Sequence, residues 1–169
     1  MKTNVVLLGI GLLGLVAWAA GQRHDVEAAT VVNASPERVW EVLTDTAAYA
    51  EWNPVIVRLS GELRPGATIE FVNRGPDGRE MTFRPRVLTA QPGRELRWLG
   101  QVGVPRLFDG EHYFRLTALP GGQTRLQHGE HFRGVLVPFV RGWLRRNIEP
   151  DYAQVNAALK ARAERLPRP

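Results

Sequence analysis

The groups in this chain best placed to do chemistry are two histidines and a glutamate in neighbouring runs. His128 and Glu130 stand two residues apart within 124–133, and His112 stands within 109–118; Pro120-Gly121-Gly122 between the runs is a turn signal. Successive side chains of a strand point to opposite faces. Leu126 and Phe132 mark the buried face of the later run, so His128 and Glu130 share it. Phe114 and Leu116 mark that face in the earlier run, and His112 goes with them. A hairpin that pairs like faces across a five-residue loop sets His112 opposite Glu130 and Phe114 opposite His128; registers two residues away are also allowed, whereas a one-residue slip would put inward residues opposite outward ones. Imidazoles and a carboxyl group in apolar surroundings have three possible roles. They can satisfy one another as a structural pair, or orient an otherwise apolar ligand. They can also move protons, with Glu130 raised by desolvation and His112 or His128 as carrier. The residues alone leave all three open. The trio has metal-ligand types, but the side chains are spread along an extended wall and no His-rich motif is present, so no metal and no cofactor is expected. No phosphate-binding glycine loop and no nucleophile elbow occurs.

Positioning these groups requires a sheet. Strands are predicted over 26–33, 55–60, 68–73, 81–90, 95–102, 109–118 and 124–133, separated by turn sequences such as Gly75-Pro76-Asp77-Gly78 and Pro92-Gly93. Seven strands with short connections make an antiparallel sheet. Alternation turns Ile69 and Phe71 of the third strand inward, with Met81 and Phe83 of the fourth and Leu96 and Trp98 of the fifth. Together with His112, Phe114, His128, Glu130 and Phe132 these residues outline an apolar chamber with one polar wall, the expected ligand-binding surface. Trp52, with Asn53, stands either at its mouth or as a packing anchor. His131 and Arg133 are expected outside and solvated, and His24 falls in a linker without an evident partner. The segment 104–108 is either a mobile lid or a plain connector.

Two helical regions flank the strands. In 34–54, ASPERVWEVLTDTAAYAEWNP, Ser35 is an N-cap, Pro36 suits the first turn and Glu37 complements the dipole. Val39, Trp40, Val42 and Leu43 share a face, and Pro54 biases Asn53 away from helix. A second helical region runs over 137–166, where Pro150 should kink or break it near Asn147. The motifs SPERVWEVLTD and YAEWNP, then HGEHFRGVLVP (128–138) and VNAALKARAE (155–164), resemble the START-related lipid-transfer and polyketide cyclase superfamily (SRPBCC) over 27–166. The resemblance implies an α+β helix-grip fold, a curved seven-stranded antiparallel sheet wrapped around a long C-terminal helix, with two short helices after the first strand. It also implies a hydrophobic small molecule or lipid bound or carried in the cavity between them. The alternatives are a cyclase, dehydratase or hydrolase using the His-Glu wall, and a non-catalytic interaction module at a membrane.

Residues 5–20, VVLLGIGLLGLVAWAA, form an unbroken apolar and glycine run. As a helix it would extend about 24 Å, close to the lower limit for spanning a bilayer. Ala17-Trp18-Ala19 fits a small-x-small cleavage site, so residues 1–21 are read as a membrane anchor or a signal peptide. Both place the domain outside the cytoplasm, anchored or exported, after a linker at 22–26 and before a tail at 167–169. The remainder of the 169 residues suits one domain with a sizeable core. Absence of cysteine excludes disulfides and thiolate chemistry. The formal charge is +5, and all the basic residues except Lys2 and Lys160 are arginine. That balance favours anionic partners in general, but no basic and aromatic ladder exists to stack bases, so no nucleic-acid partner is expected. Nothing in the sequence sets an oligomeric state.

Overall fold

A computed structural model of the chain describes residues 18, 21–75 and 77–165. The anchor or signal run 5–20 lies, apart from Trp18, outside the described residues, as does the tail. Among the described residues no helix is long and apolar enough to cross a membrane. The chain opens with β1 (Arg23–Val32), followed by α1 (Pro36–Thr44), a 3-10 turn (Thr46–Ala48) and α2 (Tyr49–Trp52). β1 therefore takes in most of the stretch expected to be linker. The Ser35 hydroxyl accepts a hydrogen bond from the Arg38 N–H at 3.4 Å, and Val39, Val42 and Leu43 supply the buried face of α1. Tyr49 and Trp52 anchor α2 in the core.

Among the described residues eight strands are observed rather than seven. β2 (Ile56–Ser60), β3 (Glu70–Arg74) and β4 (Glu80–Phe83) form one antiparallel sheet. β5 (Arg86–Gln91), β6 (Glu95–Val102), β7 (Phe108–Leu119) and β8 (Gln123–Arg133) join β1 in a second, in the order β1-β8-β7-β6-β5. The single strand expected over 81–90 is thus divided. Pro85 sits at the division, and a proline cannot donate to a ladder. The chain leaves one sheet and enters the other there, while hydrogen bonds between residues 66–69 and 85–87 hold the corner shut.

The long helix is also divided, at the place the sequence indicates. α3 (Val137–Asn147) stops one residue before α4 (Glu149–Arg165) begins. Pro150 lies in the first turn of α4, where its missing N–H has no partner to lose. α4 lies chiefly against β1 and turns Tyr152, Val155, Asn156, Leu159 and Ala163 into the interior. Side chains gather in two cores. One is built around Val39, Leu43, Tyr49, Ile69, Leu96, Trp98, Phe114 and Leu159. The other comprises Val26, Phe132, Val137, Leu144 and Tyr152. An opening between them is lined from both, by Trp98, Phe114 and Val155 on one side and by Phe132, Leu144 and Tyr152 on the other.

Candidate functional site

The opening is a cavity of about 320 Å³ between the sheet and the two C-terminal helices, within the size range of small-molecule pockets. Its floor is set by strand register. β7 pairs with β8 so that His112 faces Glu130, Phe114 faces His128 and Gly110 faces Phe132, the pairing expected from the sequence. β6 continues the floor by pairing Trp98 with His112 and Gly100 with Gly110. Facing glycines on the inward side leave a stretch of two strands without side chains. A Cβ at Gly100 would meet nothing closer than 3.8 Å, whereas one at Gly110 would collide with Glu130 Oε1. Gly110 therefore makes room for the carboxylate, whereas a Cβ at Gly100 would make only ordinary contacts at the cavity edge.

The polar wall consists of two hydrogen-bonded runs that approach each other at His112 and Glu130. Asn156 Nδ2 donates to the Ala28 carbonyl at 3.1 Å, so Asn156 Oδ1 is the atom facing His128 Nδ1, at 3.2 Å. Nδ1 of His128 must carry the proton to donate there. Burial, and then the neighbouring His112, hold His128 well below the usual histidine pKa, so it is neutral and its Nε2 is an acceptor. His112 Nε2, 2.9 Å away, is consequently the donor. The remaining nitrogen of His112, Nδ1, faces Glu130 Oε2 at 3.6 Å, and that oxygen also accepts the Tyr152 hydroxyl. Burial and then Glu130 push the Tyr152 phenol well up, keeping it a proton donor. Each imidazole is clamped by an aromatic ring: His112 stacks on Trp98 with centroids 4.5 Å apart, and His128 on Phe114 at 4.2 Å. The wall thus ends at the cavity in one carboxyl group and one imidazole edge, which can hydrogen-bond a hydroxyl or carbonyl or exchange a proton with it.

Of the twelve residues expected on the ligand-binding surface, nine line the cavity: Phe71, Met81, Phe83, Trp98, His112, Phe114, His128, Glu130 and Phe132. Ile69 and Leu96 do not; both are wholly enclosed in the larger core, toward the α1 end of the sheet. Trp52 is likewise a packing anchor, with its ring 5.0 Å from that of Tyr49. Its neighbour Asn53 does line the cavity, with Oδ1 taken by the backbone N–H groups of Val55 and Ile56. Two other expectations are corrected. His131 is not simply solvated, since it meets Asp25 at 2.9 Å and stacks on Tyr113. His24 meets Glu149 Oε1 at 2.9 Å, tying β1 to the start of α4. Sequence reading missed Tyr152 and Asn156, although the helical spacing 152, 155, 156, 159 shows them beside Val155 and Leu159. It also missed the Gly100–Gly110 pair and Phe108. Among the described residues no group of His, Asp and Glu is arranged to hold a metal ion.

A sequence model of the family described as polyketide cyclase / dehydrase and lipid transport matches residues 23–164. Comparison with curated proteins finds no match. Among solved structures, the ZhuI aromatase/cyclase from Streptomyces sp. R1128 superposes with a TM-score of 0.70 at 20% identity, covering 85% of this chain and 95% of that one. Protein CV1439 from Chromobacterium violaceum gives 0.61 at 24% identity, covering 83% and 96%. The di-domain aromatase/cyclase StfQ of the steffimycin biosynthetic pathway gives 0.68 at 20%, covering 84% of this chain and 51% of that one. At these identities the likeness concerns the fold.

Proposed function

Because the chain belongs to the polyketide cyclase / dehydrase and lipid transport family, within the SRPBCC superfamily, we propose that it binds or carries a hydrophobic small molecule or lipid in the cavity between the sheet and the C-terminal helices. The observation that carries this reading is the cavity itself, mostly apolar, with His112, His128, Glu130 and Tyr152 grouped on one wall and Asn53, Asn73, Gln101 and Asp151 as the other polar residues of its lining. Such a chamber orients a ligand that has an oxygen function at one end and hydrocarbon along the rest. Glu130, His112 and Tyr152 would hold the polar end, with Trp98, Phe71, Phe83 and Phe132 around the apolar body.

The test is binding of a fluorescent fatty-acid probe to the full chain, set against Gly100→Leu. Gly100 lines the cavity, its backbone is not in the left-handed region, and a Cβ there makes only ordinary contacts with the Gly110 carbonyl and Pro85, so leucine is placed to fill part of the cavity. Native mass spectrometry of the unaltered protein would identify any co-purified molecule. Probe binding that Gly100→Leu abolishes is the expected result. Binding unaffected by Gly100→Leu, or no binding and no co-purified molecule, removes the proposal in favour of an interaction module.

A second reading is acid-base catalysis of the cyclase or dehydratase type. It is favoured by one feature, the approach of His112 Nδ1 to a carboxyl group already hydrogen-bonded by Tyr152. In that reading Glu130 accepts a proton from the bound molecule and His112 is positioned to return one. Glu130→Gln separates the two readings. It would spare binding in both, and would abolish turnover only if the wall is catalytic.

A further inference from the structure

We propose that the rim of the cavity, made by the loop 102–106 and the outer side of α3, docks on an anionic lipid bilayer surface. Large apolar side chains are left out in solvent at this rim. Phe139 is 72% exposed, Val104 66% and Trp143 49%. Phe139 and Trp143 are four residues apart on α3 and so lie on one side of it. Leu136, just before the helix, is bound to the loop through its N–H to the Leu107 carbonyl at 3.1 Å, and Val135 N–H binds Arg106 in the same way at 3.0 Å. The loop is thereby held against α3, and Arg106 is fixed in a left-handed conformation, φ 67°, that few non-glycine residues adopt.

The charge of the rim selects the partner. The side chains of Arg106, Arg145 and Arg146 have no carboxylate partner among the described residues. Of the nearby carboxylates, Glu149 is taken by His24, Asp109 accepts the Arg106 N–H and Gln101, and Asp151 lines the cavity, its carboxyl raised by burial. Exposed aromatic residues beside unpaired arginines on one short helix are the pattern of an element that lies in a membrane interface. The place where the domain begins agrees. Arg141 Nη2 donates to the Arg23 carbonyl at 3.2 Å, so β1 starts against α3. The apolar run 5–20 ends three residues earlier, at most about 10 Å of chain. Met81, Val102 and Trp143 line the cavity and are also about half exposed, so the docked rim is the mouth of the cavity. Docking by these groups does not depend on what the cavity holds.

The chain has no cysteine, so one introduced thiol can be labelled cleanly. Gly142→Cys, between Phe139 and Trp143, would carry an environment-sensitive dye. The full chain would be reconstituted into phosphatidylcholine vesicles with or without phosphatidylglycerol, both containing a nitroxide-labelled lipid as quencher. The dye at 142 is expected to shift to the blue and be quenched in the phosphatidylglycerol vesicles. A dye at Thr117→Cys, on the far part of β7, is expected to stay unquenched. Adding Arg145→Gln and Arg146→Gln should lower the docked-to-undocked ratio about 30-fold, roughly 5-fold for each arginine near the surface. The proposal is overturned if the dye at 142 stays unquenched on vesicles that carry the protein, or is quenched equally without phosphatidylglycerol. It is overturned equally if the dye is already shielded without lipid while the protein sediments as a dimer, which would make a second copy the occupant.

Discussion

On the outer face of β6, β7 and β8, Glu95 lies between Arg97 and Arg115 at 2.6 and 2.9 Å, Glu111 meets Arg97, and Asp25 meets Arg23 and His131. On the inner face of the same strands Glu130 meets only His112 and Tyr152, and no arginine or lysine among the described residues reaches it. Apart from His131, the outer network is built from arginines and carboxylates paired with one another. Burial alone would raise the Glu95 carboxyl, but the hydrogen bonds and charges of Arg97 and Arg115 hold it low. Tyr113 reaches over Gly129 to Glu27 at 2.7 Å, and burial and then that carboxylate push its phenol up to about 12. The inner carboxylate has instead a hydrogen bond from the Tyr152 hydroxyl and the neighbouring His112 ring. The first arrangement ties β1, β6, β7 and β8 together; the second leaves Glu130 with neutral hydrogen bonding from Tyr152 at the cavity.

The sharpest way to break this contrast uses one substitution at two positions of β8. His128→Arg places a charge that cannot be shed in a fully buried site beside His112. It should cost about 3–5 kcal/mol, as uncompensated buried charges do, enough to unfold much of the population in mild urea. His131→Arg, opposite Asp25 on the outer face, should change stability by less than about 1 kcal/mol. Similar losses in urea titrations of the two variants would remove the distinction.

The next contrast is between two glycines that each make way for a neighbour. A methyl group at Gly110 collides with Glu130, and one at Gly129 with Tyr113 and the Val26 carbonyl. Both alanine variants should lose about 1–3 kcal/mol through overpacking. Probe binding in the cavity should weaken in Gly110→Ala and persist in Gly129→Ala, because only the former moves a group of the inner wall.

The smallest effect is on acid stability. His128 is neutral in the fold at a pH where the unfolded chain, near 6.5, takes up a proton. The unfolded state therefore binds more protons below that pH, and stability falls as the solution is acidified through 6.5. The slope should be at most about 1.4 kcal/mol per pH unit for this one group. Thermal melts of the protein and of His128→Gln at pH 7 and pH 5.5 should show the difference narrowing in the variant. An unchanged pH dependence would mean that His128 does not carry it.

Much of this contrast is legible in the sequence because alternation and turn chemistry are local. Leu126, His128, Glu130 and Phe132 declare their common face, Pro120-Gly121-Gly122 sets the hairpin, and Pro150 marks the helix break. What is not legible depends on parts far apart in the chain. Nothing near Tyr152 or Asn156 says how α4 is rotated over the sheet, and His24 finds Glu149 only after β1 and α4 have docked. Leu96 and Trp98 have the same pattern, yet one is sealed in the core and the other meets the cavity, because α1 and α4 close over only one end of the floor. Pro85 did carry a local signal, but the apolar residues on both sides of it, Phe83 and Val87, read as one strand.

The facing glycines of β6 and β7 also bear on how such a protein can change over generations. A larger residue at Gly110 must displace Glu130, whereas a Cβ at Gly100 meets only the Gly110 carbonyl and Pro85, both at ordinary contact distance. Single substitutions to alanine, valine or leucine at Gly100 would shorten the chamber step by step without moving the wall. The size of molecule admitted and the chemistry presented to it are thus carried by different positions, and selection can adjust the first while leaving the second intact.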